Sequence, residues 1–359
     1  MKIRVGVVGA GIYGSVLINA YYGAHRRGDI EFVAVADISS DALAKIDKKY
    51  GIKGYLDYKE MYEKEHLDAV AIVTPDFLHE ACVIDAANSG IHILVQKPLS
   101  TDIGAAERMI KAAKDNDVML YVDFHKRFDP GHMHLRKAVK DKKLGEIEYG
   151  YVCMEDKILV PTEWFKSWAH NSSPVWFLGV HFFDLIYWIL EEKPVRVYAT
   201  GHKKKLASLG IDSYDSIQAK FEFPSGATVS IDSSWIIPNS FSSVVNQQIR
   251  LVGTDGMQEV DSQDRGVVAV FGSDDYSHVI NPYGQLQVDD IDAGSVPTGY
   301  TIESMLYFLR LVNKMKRDNL TPITLQADYP TGDQALVSTI MCSKVHESVE
   351  KGKVLEITY

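Results

Sequence analysis

Three glycines, an acid, a lysine and a histidine carry the chemistry that can be read along this chain. The apolar run Val5-Gly6-Val7-Val8 ends at Gly9, and Gly9, Gly11 and Gly14 fall at G-x-G-x-x-G spacing. The first glycine permits a sharp turn out of a strand. The second lets a pyrophosphate approach bare backbone, and the third lets the next helix pack closely. Amides at the start of that helix, around Ile12 and Tyr13, would face the phosphates with the positive end of the helix dipole. A second apolar run, Glu31-Phe32-Val33-Ala34-Val35-Ala36, ends in Asp37. That acid follows Gly14 at close to the ~20-residue interval of a ribose-binding carboxylate. A carboxylate there accepts from both ribose hydroxyls and repels a 2′-phosphate. No Arg stands in Ile38-Ser39-Ser40-Asp41, so NAD is favoured over NADP.

Further chemistry is expected where later strands end, because ligands of such sheets bind beyond the carboxyl ends of the strands. Thr74-Pro75-Asp76-Phe77-Leu78-His79 follows the third predicted strand and Val95-Gln96-Lys97-Pro98-Leu99 the fourth. Thr74, Pro75, His79, Gln96 and Lys97 therefore join Gly9, Gly11, Ile12, Tyr13, Gly14 and Asp37 as candidate cofactor contacts. A lysine there can donate to the nicotinamide ribose and to a substrate oxygen, and can stabilise an alkoxide; a plain surface lysine is the competing assignment. His181 and Asp184, three apart in Gly179-Val180-His181-Phe182-Phe183-Asp184, would share a helix face. Histidine is a suitable base near neutral pH, and a buried core histidine is the alternative.

These residues sit in a chain of 359 residues, long enough for two domains. Residues 1–124 alternate strand and helix signals, which predicts a parallel α/β sheet of Rossmann type. Strands are expected at Arg4–Val8, Phe32–Ala36, Ala69–Val73, Ile93–Val95 and Met119–Val122. Residues 125–359 predict an α+β domain with a large, mostly antiparallel open sheet. Its strands are expected at 195–202, 216–223, 227–235, 248–253, 257–261 and 267–272, with late helices at 302–317 and 329–351. Composition is ordinary for a globular protein, 46% hydrophobic and 24% charged. A net charge of −10 argues against nucleic acid. No apolar run reaches the ~20 residues of a membrane span. A strand directly at the N-terminus and three dispersed cysteines (Cys82, Cys153, Cys342) suggest the cytoplasm. Asp129, His132 and His134 have no further ligands at suitable spacing, so no metal is expected.

The order of these motifs, together with Asp68–Pro75, Gly90–Leu99 and Lys126-Arg127-Phe128-Asp129-Pro130, resembles the glucose–fructose oxidoreductase and inositol dehydrogenase family (Gfo/Idh/MocA) along essentially the whole chain. The resemblance implies a Rossmann domain followed by an α/β domain whose open sheet often pairs subunits, here as a homodimer or homotetramer. It implies hydride transfer between NAD(P) and a hydroxyl carbon of a sugar, glycoside or polyol, with Lys97 as catalytic lysine and His181 as proton-transferring histidine. Two departures stand out: Gln96 replaces the usual Glu before the lysine, and Phe177 an Asp four residues before the histidine. Losing two negative charges weakens the hold on the lysine's proton. His181 is then expected to carry more of the proton transfer while Lys97 positions substrate. Lys126, Arg127, Glu155, Trp164, Trp168, Trp176, Phe177 and Asp184 are the candidate substrate residues, since polar groups read hydroxyls and aromatic faces pack on sugar C–H faces. A non-catalytic NAD- and sugar-sensing protein and an NAD-assisted glycosidase are the alternatives.

Overall fold

The computed structural model describes residues 2–261, 265–273 and 275–359. The chain forms two compact units, Met1–Phe128 with Gly284–Leu336, and Asp129–Tyr283 with Val337–Tyr359.

In the first unit, strands β1 (Arg4–Val8), β2 (Glu31–Ala36), β3 (Lys53–Tyr55), β4 (Ala69–Ile72), β5 (His92–Val95) and β6 (Leu120–Val122) form one sheet. Their order is β3-β2-β1-β4-β5-β6, and every pairing is parallel. Helices α1 (Ile12–Arg27), α2 (Ser40–Tyr50), α3 (Tyr58–Glu65), α4 (His79–Asn88) and α5 (Ile103–Asp115) supply the connections. This is the doubly wound order, whose topological switch lies beside β1. Both faces are covered, so the strands are continuous apolar runs; all four residues of β4 are fully buried. Helix starts follow local chemistry: Ser39 caps α2, accepting from Ala42 N at 3.2 Å, and Asp102 caps α5, accepting from Ala105 N at 2.7 Å.

A second domain running unbroken from 125 to 359 is not what the structure contains. The first crossover falls near the expected boundary, after Phe128, but residues Gly284–Leu336 return to the first unit. The reason is a helix, Tyr300–Asp318, with apolar residues at helical spacing. Its Ile302, Met305, Phe308, Leu309, Val312 and Met315 share one core with Leu17, Ile18 and Tyr21 of α1 and with Tyr121 of β6. The Tyr121 hydroxyl lies 2.9 Å from Ser304 Oγ, and Val122 N donates to Pro330 O at 2.9 Å, covering the outer edge of β6. Periodicity identified that helix but held no information about its partner.

The second unit is built on strands β7 (Ile147–Lys157), β8 (Arg196–His202), β9 (Ser216–Glu222), β10 (Thr228–Ile237), β11 (Val245–Gly253) and β12 (Met257–Asp261). They are arranged β12-β11-β7-β10-β9-β8, followed by the short strand Leu355–Glu356. Only β7 and β10 pair in parallel, Val152 opposite Ile231. Strand β7, central to the sheet, was not expected: Gly150 and its acids break the alternation that marks a strand. Helices α6 (Pro130–Lys140) and α7 (Val180–Leu190) belong to this unit, and Phe183 of α7 meets Phe221 of β9 edge-on at 5.0 Å. Tyr149, Tyr151 and Tyr198 are exposed on the sheet. Among the described residues no helix is long and apolar enough to cross a membrane.

Phe308→Ala should cost about 3–5 kcal/mol of stability, because it empties a fully buried site in the core of the nucleotide unit. Urea unfolding followed by loss of NADH binding checks this; a change confined to the other unit would refute the shared core.

Candidate active site

The glycine turn behaves as its spacing predicted. Gly9 has φ of 102°, and a Cβ there would sit 2.6 Å from Val73 O. A Cβ on Gly14 would sit 2.3 Å from Gly9 O, so helix and strand touch through bare backbone. Nothing lies within 4 Å of the Cβ position of Gly11. Helix α1 starts with Gly11 as its cap and no side-chain acceptor for its first amides, which begin at the exposed Ile12. Asp37 accepts from Ala10 N at 2.6 Å and from Ser39 N at 2.8 Å, tying the end of β2 to the turn. A carboxylate has about four acceptor positions, so two remain for ribose hydroxyls. The buried hydroxyls of Tyr13 and Thr74 have no hydrogen-bond partner among the described residues. Open space over Gly11, uncapped amides and two unsatisfied hydroxyls fit a dinucleotide.

His79 has a different position from the one expected of a cofactor contact. It is fully buried, its Nδ1 3.0 Å from Pro98 O and its Nε2 3.1 Å from Thr74 O. It clamps the loop after β4, where Pro75 begins the short turn Asp76–Leu78, to the loop after β5. Burial holds its pKa below the ordinary histidine value, against the opposing pull of Asp76.

Gln96 and Lys97 leave β5 beside the end of β6, where Val95 pairs with Val122. The next residue of β6 is Asp123, fully buried, whose N–H donates to Val95 O at 2.9 Å. Its carboxylate accepts from the Gln96 side-chain amide through Oδ2 and from Ser304 Oγ through Oδ1, the latter at 2.5 Å. Burial pushes this carboxyl from 3.8 up to about 6, a rise limited by the Ser304 and Gln96 hydrogen bonds and by the charge of Lys97. The neutral Gln96, where the resemblance implies an acid, is thus hydrogen-bonded to a carboxylate at 123. Asp123 directly follows a predicted strand, but no motif marks it in sequence. Ser304 gave no sequence signal.

Lys126 and Arg127, candidate substrate residues, are buried and hydrogen-bonded to the segment that returns to this unit. Lys126 Nζ donates to Tyr300 Oη at 3.0 Å, and Arg127 donates to Gln334 Oε1 at 2.6 Å. Tyr300 in turn stacks on His125 at 5.9 Å, and His125 on Tyr13 at 6.5 Å.

In the second unit, His181 and Asp184 lie in the first turns of α7, 4% and 0% exposed. Asp184 is thus enclosed, one turn from His181. Phe177 joins Phe165 at 4.7 Å, Trp168 at 6.3 Å and Trp235 at 6.3 Å in one aromatic cluster. Trp176 is not part of it; its ring stacks on His346 at 5.5 Å. Trp164 is exposed, and Glu155 accepts from Asn246 Nδ2 at 2.9 Å. The anticipated substrate set therefore divides, with Trp168 and Phe177 together and Trp176 elsewhere. Asp129 takes a two-pronged ion pair from Arg265 at 2.8 Å, and no group of His, Cys, Asp or Glu among the described residues could hold a metal ion.

Asp123 makes stability depend on pH with a definite sign. Between pH 3.8 and about 6 the folded chain keeps a proton that the unfolded chain has lost, so stability present below this window falls as pH rises through it. Asp123→Asn should gain on the parent protein across the window, by up to about 3 kcal/mol above it. Urea unfolding at about pH 4.5 and about pH 7.5 reads the difference; a gap that narrows with pH contradicts it.

Residues 3–124 match the family described as "Oxidoreductase family, NAD-binding Rossmann fold", and residues 132–259 match the "GFO/IDH/MocA C-terminal domain". Inositol 2-dehydrogenase of Rhizobium meliloti (strain 1021) is 28% identical over 280 residues, 77% of this chain and 81% of that one. Myo-inositol 2-dehydrogenase of Thermotoga maritima is 28% identical over 235 residues, 65% and 68% of the two chains. In fold, the chain is similar to myo-inositol 2-dehydrogenase from Lactobacillus plantarum, with a TM-score of 0.80 at 18% identity over 100% of both chains. It is similar also to GenD2 from gentamicin A biosynthesis in complex with NAD, with a TM-score of 0.80 at 22% identity over 100% of this chain and 97% of that one. The matched stretches contain the glycine turn, Lys97 and His181, and the chain belongs to the Gfo/Idh/MocA family of NAD-binding oxidoreductases.

Proposed function

We propose that this protein is a cytoplasmic NAD-dependent dehydrogenase of inositol-like polyols or sugars. The observation that carries the reading is a lysine at the carboxyl end of β5, with a buried carboxylate on the neighbouring strand end and the nucleotide turn on the same sheet. The names of its relatives, inositol 2-dehydrogenases, support the substrate class. Bound NAD supplies the hydride acceptor. Lys97 donates a hydrogen bond to the substrate oxygen and stabilises it as it becomes an alkoxide. His181 takes the hydroxyl proton. Asp37 holds the ribose hydroxyls and disfavours a 2′-phosphate. Subunits pair through the sheet of the second unit, a reading supported by exposed Tyr149, Tyr151 and Tyr198.

Purified protein given myo-inositol and NAD should generate NADH, read by absorbance. Lys97→Met should lower kcat/KM by roughly 10²–10³-fold and His181→Ala by roughly 10²–10⁴-fold, with NADH affinity little changed. Turnover unaffected by the histidine substitution would remove its assigned role. Asp37→Ala should weaken NAD binding about tenfold and narrow the preference over NADP, measured by fluorescence titration.

A further inference from the structure

Beside Lys97 stands an ionisable group that the resemblance does not account for. Members of the family resembled place an acid directly before the lysine; this chain has Gln96, whose neutral amide can orient a neighbour without supplying charge. The amide is directed at Asp123, the first residue beyond β6, on the strand adjacent to the one that delivers Lys97. The carboxylate is fully buried, and burying an ionised group is unfavourable unless it is paired and hydrogen-bonded. Its two oxygens are hydrogen-bonded by Gln96 and Ser304, and the charge favouring its ionised form is that of Lys97. Its charge also acts on the buried tyrosines Tyr13 and Tyr21 of α1 and Tyr121 of β6. Bracing alone does not call for an acid here. An asparagine could accept from Ser304 and exchange hydrogen bonds with Gln96 at no charge cost.

We propose that Asp123 is a positioning residue for Lys97: the carboxylate has moved from position 96 to the end of the neighbouring strand, where Gln96 and Ser304 hold it and it keeps the lysine charged. This rests on Lys97 being the group that stabilises the substrate oxygen, because a charged amine is what that role requires.

The test reads the lysine itself and needs no substrate. Full-length protein carrying lysine labelled with ¹³C at Cε is titrated by NMR, and the Lys97 signal is identified by its loss in Lys97→Met. In Asp123→Asn the Lys97 midpoint should fall by about one pH unit or more. In the double variant Gln96→Glu with Asp123→Asn it should return towards the parent value. An unchanged midpoint in folded Asp123→Asn, or no recovery in the double variant, overturns the proposal; a purely bracing Asp123 gives the first of these results. Where Asp123→Asn does not fold, the parent protein decides: the Lys97 signal should show a second, smaller inflection near pH 6 as Asp123 ionises, and its absence is equally fatal. Absence of NADH formation with myo-inositol and a panel of other polyols and sugars would sink the proposed function and leave this result standing.

Discussion

A carboxylate buried at the end of a parallel sheet organises the nucleotide unit. Asp123 has no contact with water, and a charge in that position must be matched from several directions. Strand β5 brings Gln96 and Lys97, the returning helix brings Ser304, and Tyr121 extends the network from Ser304. The segment Gly284–Leu336 is consequently more than a cover for the sheet edge. One of its side chains, Ser304, completes the hydrogen bonding of Asp123. Burial raises the pKa of Asp123 and so costs stability, and such local cost is common where a group is held for chemistry.

The opposite side of the same sheet end is shaped by backbone rather than charge. Gly9 and Gly14 allow β1 and α1 to approach to distances that no side chain permits, and Asp37 fastens the resulting turn to β2. His79 performs the matching task between the loops after β4 and β5. Three structural ties therefore bring the ends of four neighbouring strands into one rigid rim. That rigidity suits a reaction in which a hydride donor and its acceptor must be held in fixed register.

The second unit follows a different logic. Its sheet is mixed, with β7 and β10 in parallel at the centre and antiparallel strands outside. Around Phe177 the chain builds an aromatic cluster where an acid was expected by resemblance. An apolar wall of this kind favours substrate C–H faces over additional charge.

Local periodicity and spacing determined much of this protein. The strands of the nucleotide unit, the turn at Gly9–Gly14 and the places of Asp37, Lys97 and His181 at strand and helix ends follow from runs of a few residues, because each depends on backbone geometry close at hand. Only the tertiary structure decided which elements share a core. The face of the helix Tyr300–Asp318 was legible, but its partner lies some 180 residues away in sequence at Tyr121. Strand β7 is held by its neighbours against its own weak pattern, as central strands can be. The same holds for the site: the hydrogen bonds of His79, Lys126 and Arg127 to distant segments, and the bond of Asp123 to the side chain before Lys97, are invisible in sequence. Burial and partnership are both long-range properties of the folded chain.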